Sequence, residues 1–284
     1  MSGATDAPFR RQAVRFGARA VVSEMVAGEM LAIGRPDMVR RTCRHDGGGP
    51  WIVQLAARRP EDMQAGAQLL AEAGVDIIDI NMGCPARQVT GGQSGSALMR
   101  TPDLARSIME AALEGAGNIP VTLKMRLGWD HNMLNAPELA RVAETLGLSW
   151  LTVHGRTRCM FYKGEADWAA ISSTVQETQL PVIANGDIDG LGSARKCLEQ
   201  SGADAVMIGR AAMGRPWLVG QVEAGLAGKP VANPVLLEQL DSLCEQIEDS
   251  VALYGESAYS SNAFTTRKLP HSVRFFLVSA KNFD

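Results

Sequence analysis

At 284 residues, 46% hydrophobic and 21% charged, the chain has the composition of a globular protein with a sizeable core. A formal net charge of -3 gives no global signal for nucleic acid, leaving only a local basic patch open, and no apolar run reaches the roughly 18 residues a membrane span needs. Five cysteines without C-x-x-C spacing argue against a disulfide framework and against a zinc site, so the expected compartment is the cytoplasm and no metal is expected.

The chain opens on "MSGATDAPFRR", which reads as the loop and helix that follow a strand. Strand-like runs then come in order: "ARAVVSEMV" from Ala18, "PWIVQLA" from Pro50, "VDIIDINMG" from Val75 and "PVTLKMRLG" from Pro120. "WLTVHGRT" from Trp150, "PVIANGDI" from Pro181 and "ADAVMIGR" from Ala203 complete the series. Helical patterns lie between them, such as "PEDMQAGAQLLAEAG" after Arg59, several with proline in the first turn. The runs are continuously apolar, as in a parallel sheet buried on both faces.

Repeated βα units fit either a (β/α)₈ barrel or a doubly wound sheet. Nearly every run ends in polar residues: Glu24, Gln54, Asn81, Lys124 with Arg126, His154 with Arg156, Asn185 with Asp187, and Gly209 with Arg210. A barrel converges such ends on one mouth, whereas a doubly wound sheet needs an early G-x-G-x-x-G, which is absent. The expected fold is therefore an α/β barrel of the TIM (β/α)₈ type. Seven runs are found where a barrel has eight, so the first strand is expected to be absent, leaving two unpaired edges.

Asn233 and Pro234 predict an N-cap and first helical turn. Leu236, Leu240, Leu243, Ile247, Val251 and Tyr254 then form one apolar stripe, with Glu238, Asp241, Glu245, Glu248 and Asp249 opposite. The expected domains are residues 1–228, the barrel, and 229–284, a partial helical domain with an irregular tail.

Lys124 puts a fixed positive charge at the mouth, and His154, Gln54 and Asn81 add polar contacts. "NGD" at 185–187 and "GR" at 209–210 follow the last strands, where barrels hold phosphate groups through backbone N–H groups, and Arg210 adds a fork. A phosphorylated cofactor with a polar ring fits, flavin mononucleotide (FMN) foremost, because a lysine near its N1 and C2 carbonyl stabilises the anionic reduced ring. Cys84 in "INMGCP" precedes a glycine-rich loop, Gly91, Gly92 and Gly95. A free thiol has a pKa of about 8.5, so at neutral pH it can deliver a proton to a carbon that receives hydride. The loop would serve as a lid. The bland alternative is that Cys84 is a buried structural thiol; Cys43, Cys159, Cys197 and Cys244 lack its context and are taken as structural.

"MSGATDAPFRR", "VQLA", "DINMGCP", "GGQSGSALMR", "LKMRLGWD", "VHGRT", "ANGDI" and "MIGRA", in this order, resemble the tRNA-dihydrouridine synthases, closest to the bacterial type related to nitrogen-regulation proteins. The resemblance implies an FMN-binding barrel followed by a helical tRNA-binding domain, with NADPH as reductant and the C5–C6 double bond of a tRNA uridine as substrate. It implies Cys84 as proton donor to C5, and Met1, Gln54, Lys124, His154, Asn185, Gly186, Asp187, Gly209 and Arg210 as FMN contacts. Asn81 and Arg126 match residues that line the uracil pocket, which requires the base to leave its stack. The chain departs from the family at both ends: the first strand with its "AP", and the basic helices after "YG". The alternatives are a flavin barrel acting on a small molecule, and a truncated, inactive family member.

Overall fold

The structure is a computed structural model and describes residues 3–91 and 93–255. Met1, Gly92 and the tail from residue 256 lie outside the described residues.

Seven strands form a single sheet: β1 (Val21–Ala27), β2 (Trp51–Ala56), β3 (Ile77–Met82), β4 (Val121–Arg126), β5 (Leu151–His154), β6 (Val182–Asn185) and β7 (Ala205–Met207). All are parallel and lie in sequence order, so every connection steps to the next neighbour in the same sense. A doubly wound sheet would reverse that order at a switch point; this one never does, which is the barrel pattern. Among the described residues β1 and β7 each pair on one side only, and both strands are partly exposed.

Helices form because their apolar residues recur at helical spacing over a proline-started first turn. In Pro60–Glu72 it is Met63, Ala67 and Leu70 that are buried, and in Pro102–Ala116 it is Ala105, Ile108, Met109 and Ala112. They cover Ile78, Ile80, Leu123 and Met125, each 0% exposed and worth about 1.5–3 kcal/mol of apolar burial.

The helix Ala7–Arg15 is capped by Asp6, whose Oδ1 accepts the Phe9 N–H at 3.1 Å. The turn after it runs against the helix Leu218–Leu226, and a Cβ on Gly220 would sit 1.9 Å from the Phe16 carbonyl oxygen. Neither backbone can yield cheaply, so Gly220→Ala is expected to cost about 2 kcal/mol or more, read as a lower unfolding midpoint in denaturant. An unchanged midpoint would show that this contact carries no stability.

The last described helix, Leu236–Tyr254, departs from expectation in two ways. It starts after Val235, whose N–H donates to Glu238 Oε2 at 3.0 Å, while Asn233 Oδ1 accepts from Gln221 rather than capping the helix. Its fully buried positions are also polar: Ser242, Gln246 and Ser250, each 0% exposed, where the sequence predicts the apolar stripe as the buried face. Ser242 donates to Gln12 Oε1 at 2.8 Å, Arg11 pairs with Asp249 at 2.6 Å and Arg15 with Glu245 at 2.9 Å. Leu236 and Leu240 stay 64% and 46% exposed, so the start of the stripe looks outward, while Leu243, Ile247 and Val251 are half-buried and Tyr254 at its end donates to Asp6 Oδ2 at 3.1 Å. Among the described residues, no helix is long and apolar enough to cross a membrane.

Candidate active site

Parallel pairing in sequence order brings the C-terminal ends of all the strands to one mouth. Strand alternation then selects which side chains enter it. Gln54 pairs with Asp79 and Asp79 with Thr122; one step outward Asn81 pairs with Lys124; beyond that Arg126 pairs with His154 and His154 with Asn185. These residues stack in successive rows up the inside of the sheet. The site residues expected on strands at Gln54, Asn81, Lys124, Arg126, His154 and Asn185 are thus brought together.

In the lowest row Asp79, 3% exposed, accepts from Gln54 Nε2 and from Thr122 Oγ1, both at 2.7 Å. Burial pushes its carboxyl above the ordinary range, against those two hydrogen bonds and the Lys124 charge. Reading strand ends in the sequence singles out neither Asp79 nor Thr122. A signal for Asp79 is nonetheless there, since Asp79 and Asn81, two residues apart on one strand, must share a face.

Asn81 Nδ2 donates to Gln54 Oε1 at 2.7 Å, and Asn81 Oδ1 accepts from the N–H groups of Gly83 and Cys84 at 3.2 and 3.0 Å. The Cys84 carbonyl in turn accepts from Ser96 N–H at 3.1 Å and Ser96 Oγ at 2.8 Å. Cys84 is therefore held at both faces of its backbone while its thiol, half-buried, makes none of these bonds. Cys197, by contrast, is fully buried with its thiol pushed up to about 11, as suits an inert core residue.

Lys124 reaches Asn185 Oδ1 at 3.0 Å, and Asn185 Nδ2 is tied to the Met207 carbonyl at 2.7 Å. Burial lowers the Lys124 pKa to about 8, with Asp79 pulling the other way. His154 is 8% exposed, and burial together with Lys124, Arg126, Arg156 and Arg210 lowers its pKa to about 2. Its ring is neutral. Arg156 Nη1 lies 3.3 Å from Nε2 and can only donate, so the ring proton sits on Nδ1.

Arg126, which the resemblance assigns to the uracil pocket, is 1% exposed; its Nε donates to the Gly83 carbonyl at 2.8 Å and Nη1 to Thr157 and Phe161 at 2.9 and 2.8 Å. It clamps the Cys84 loop to the loop after β5. Arg156 does similar work on the other side. Its fork meets the Asp187 carboxylate, and it donates to the carbonyls of Lys163 and Gly164 at 3.2 and 2.5 Å. Asp187 also accepts from Ala166 N–H at 2.9 Å and from Arg210 at 3.1 Å. Partial burial pushes the Asp187 carboxyl up, but the Arg156 hydrogen bond and the neighbouring cations outweigh it and hold it below its ordinary value. Two arginines against one carboxylate leave a net positive charge after β6 and β7. Gly186, at φ 120°, allows the tight fit there: a Cβ would meet Ala166 Cβ at 2.7 Å and His154 Cδ2 at 2.9 Å.

Around the rim, arginines and aromatic rings alternate. The Trp129 ring has Arg100 and Arg158 at 4.8 and 4.6 Å, and the Tyr162 ring has Arg126 and Arg210 at 5.5 and 5.1 Å. Of these arginines Arg100 and Arg210 are exposed, so positive charge reaches the surface there in a chain of net charge -3.

The family model for dihydrouridine synthase (Dus) matches residues 1–269. The chain belongs to the dihydrouridine synthase family. It is 50% identical over 259 residues to the probable tRNA-dihydrouridine synthase of Rhodobacter capsulatus, covering 90% of this chain and 79% of that protein. It is 45% identical over 282 residues to the probable tRNA-dihydrouridine synthase of Rickettsia conorii, covering 97% and 85%. It is 43% identical over 257 residues to tRNA-dihydrouridine synthase B of Xanthomonas axonopodis pv. citri, covering 90% and 77%. With the family comes the enzyme class, oxidoreductase. Among solved structures the fold resembles the old yellow enzyme homologue of Zymomonas mobilis, with a TM-score of 0.56 at 15% identity over 83% of this chain and 87% of that one. Morphinone reductase in complex with tetrahydroNAD gives 0.53 at 17%, over 84% and 86%. At such identities the likeness establishes the barrel and nothing more.

Proposed function

We propose that this dihydrouridine synthase reduces the C5–C6 double bond of a uridine in tRNA, with FMN at the barrel mouth, NADPH as reductant and Cys84 as proton donor. The observation that carries the reading is the placing of Cys84. A thiol outside the local hydrogen bonds stands on a backbone fastened by Ser96 and by Asn81, the residue that pairs with Lys124.

The residues present fit a flavin. Lys124 is a partly buried ammonium with one of its three donors engaged by Asn185. His154 keeps a neutral ring with a donor on Nδ1. The excess positive charge of Arg156 and Arg210 over Asp187 suits a phosphate, with Gly186 and Gly209 in the loops after β6 and β7 where its backbone contacts would fall. Gln54 contributes its one remaining amide N–H, the other polar positions being taken by Asp79 and Asn81. FMN, when bound, supplies hydride to uracil C6. The chain's own part is to hold the ring against Lys124, keep the Cys84 proton near C5 and close off water with the loop after it. A flipped uracil reaches the mouth past the arginine-and-aromatic rim, which offers phosphate contacts and stacking faces together. Residues 1–228 are the catalytic barrel in this reading, and 229–284 begin the tRNA-binding part.

The test is direct. Purified protein titrated with FMN is expected to develop the absorption band of a bound flavin, and with NADPH and unmodified tRNA to form dihydrouridine. Flavin binding with turnover only on small enones would favour a small-molecule reductase. Absence of flavin binding would refute the assignment.

Lys124 also sets a pH dependence. Its ammonium loses its proton as pH rises through about 8 in the free protein, and the electron-rich N1 and C2 carbonyl edge of the flavin is then held less well. FMN affinity is expected to fall above that pH, by at most about tenfold per unit, and Lys124→Met is expected to bind weakly with a flat profile. Identical profiles for the two proteins would remove Lys124 from the flavin site.

A further inference from the structure

Asp79 lies deepest in the polar rows. From it to Cys84 runs an unbroken series of hydrogen bonds: Gln54 Nε2 to Asp79 Oδ2, Asn81 Nδ2 to Gln54 Oε1, and the Gly83 and Cys84 N–H groups to Asn81 Oδ1. Each bond points toward Asp79. The direction is fixed at both ends by groups that cannot reverse: a backbone N–H only donates, and the carboxylate oxygen facing an amide NH₂ only accepts. Gln54 and Asn81 between them are amides that could each be turned end for end, and the two ends leave them one orientation. Asp79, Gln54 and Asn81 are 3%, 7% and 6% exposed, so water cannot repair a donor facing a donor or an oxygen facing an oxygen.

We propose that Asp79 is a positioning residue: it is the acceptor that ends the hydrogen-bond chain through Gln54 and Asn81, so that together with the Gly83 and Cys84 N–H groups it fixes one direction for that chain and holds the Cys84 peptide, and with it the thiol, in place. This deepens the reading of Cys84 as proton donor and rests on it. The chain also explains why a carboxylate with no contact at the mouth is kept in a buried sheet, where Asp79 draws on Thr122 for its second oxygen.

The polarity can be tested by variants that preserve size. Asn81→Asp keeps an acceptor for the Gly83 and Cys84 N–H groups but puts carboxylates at both ends of Gln54, whose single amide cannot donate to both. Adding Asp79→Asn exchanges the two residues and satisfies every group again, with Gln54 turned round: its NH₂ faces the new carboxylate at position 81, and its carbonyl faces the new amide at position 79. Asp79→Asn alone keeps its carbonyl toward Gln54 and its NH₂ toward Thr122 Oγ1, so it preserves the original direction.

The readout is hydrogen exchange of the Gly83 and Cys84 amides, with Cys84 alkylation mapped by peptide mass. It is taken as pH is raised from neutral to about 10, because burial and the second carboxylate both raise the pH at which their shared proton is lost. Asn81→Asp is expected to lose about tenfold or more of the Cys84 amide protection, while Asp79→Asn and the double variant stay within about threefold of the parent. Should Asn81→Asp fail to fold, recovery of folded protein in the double variant reads the same coupling. Unchanged protection in Asn81→Asp, or a double variant no better than it, would overturn the proposal. Neither result touches the proton-donor reading, which fails separately if a Cys84 variant turns over normally.

Discussion

Cys84→Ala is expected to bind flavin and fold as the parent does while forming dihydrouridine about 10²–10⁴-fold more slowly, the usual worth of a positioned acid. The fold should survive because the bonds that fix Cys84 run through its N–H and carbonyl, to Asn81 and Ser96, and alanine keeps both. The flavin should survive because the described residues assigned to it lie on or after strands other than β3. Two measurements separate the outcomes: the visible flavin band of the purified variant, and dihydrouridine counted by mass in tRNA after single-turnover reaction. Normal flavin with slow product formation supports the proton-donor role. Parent-like turnover would refute it, and another acid at the mouth would have to be sought. Loss of the flavin band would instead place Cys84 in cofactor binding.

The second large effect concerns stability. Arg156→Ala is expected to cost about 3–5 kcal/mol, because it strips a buried partner from a carboxylate and from carbonyl groups at once. Arg156 has a side chain only 2% exposed and holds Asp187, Lys163, Gly164 and His154 together. In a chain of this size that is a drop in Tm of about 10 °C, measurable by calorimetry. Arg156→Lys should recover only part, since a single ammonium cannot span a carboxylate and the carbonyls beyond it. The acid side of the stability curve carries the same information. Asp187 is held below its ordinary value of 3.8, so the stability it contributes is full above that pH and is lost as pH falls through its lower folded value. The alanine variant should lose part of that acid-side slope. A Tm equal to the parent's would mean the Asp187 cluster is not a structural tie.

The two cases differ in how far the sequence announces them. Cys84 is legible: an apolar run ending in "NMGCP" before a glycine-rich loop places a thiol at a strand end whatever the rest of the chain does. Arg156 is visible as a residue at a strand end, but not as the partner of Asp187, thirty-one positions away. For Arg126 the emphasis shifts. Resemblance sets it in the uracil pocket, whereas three of its donor contacts go to backbone carbonyls of the loops on either side.

What the sequence determined by itself was local and periodic. Continuous apolar runs at regular spacing specify buried parallel strands, and polar residues at their ends specify a mouth, because alternation along a strand and burial of apolar surface act on neighbouring residues. The seven strands and the gathering of the polar strand-end residues at one mouth followed from that. The tertiary structure decided which groups meet. The stripe on Leu236–Tyr254 predicts an apolar contact, yet the helix seats Ser242, Gln246 and Ser250 inward, with Ser242 on Gln12, and turns Leu236 outward. Asp79, Gln54 and Asn81 became one directed series only when β2 and β3 came into register. A periodic pattern states that a face is to be buried; what covers it, and which donor finds which acceptor, depends on distances between residues far apart in the chain, and those exist only once it is folded.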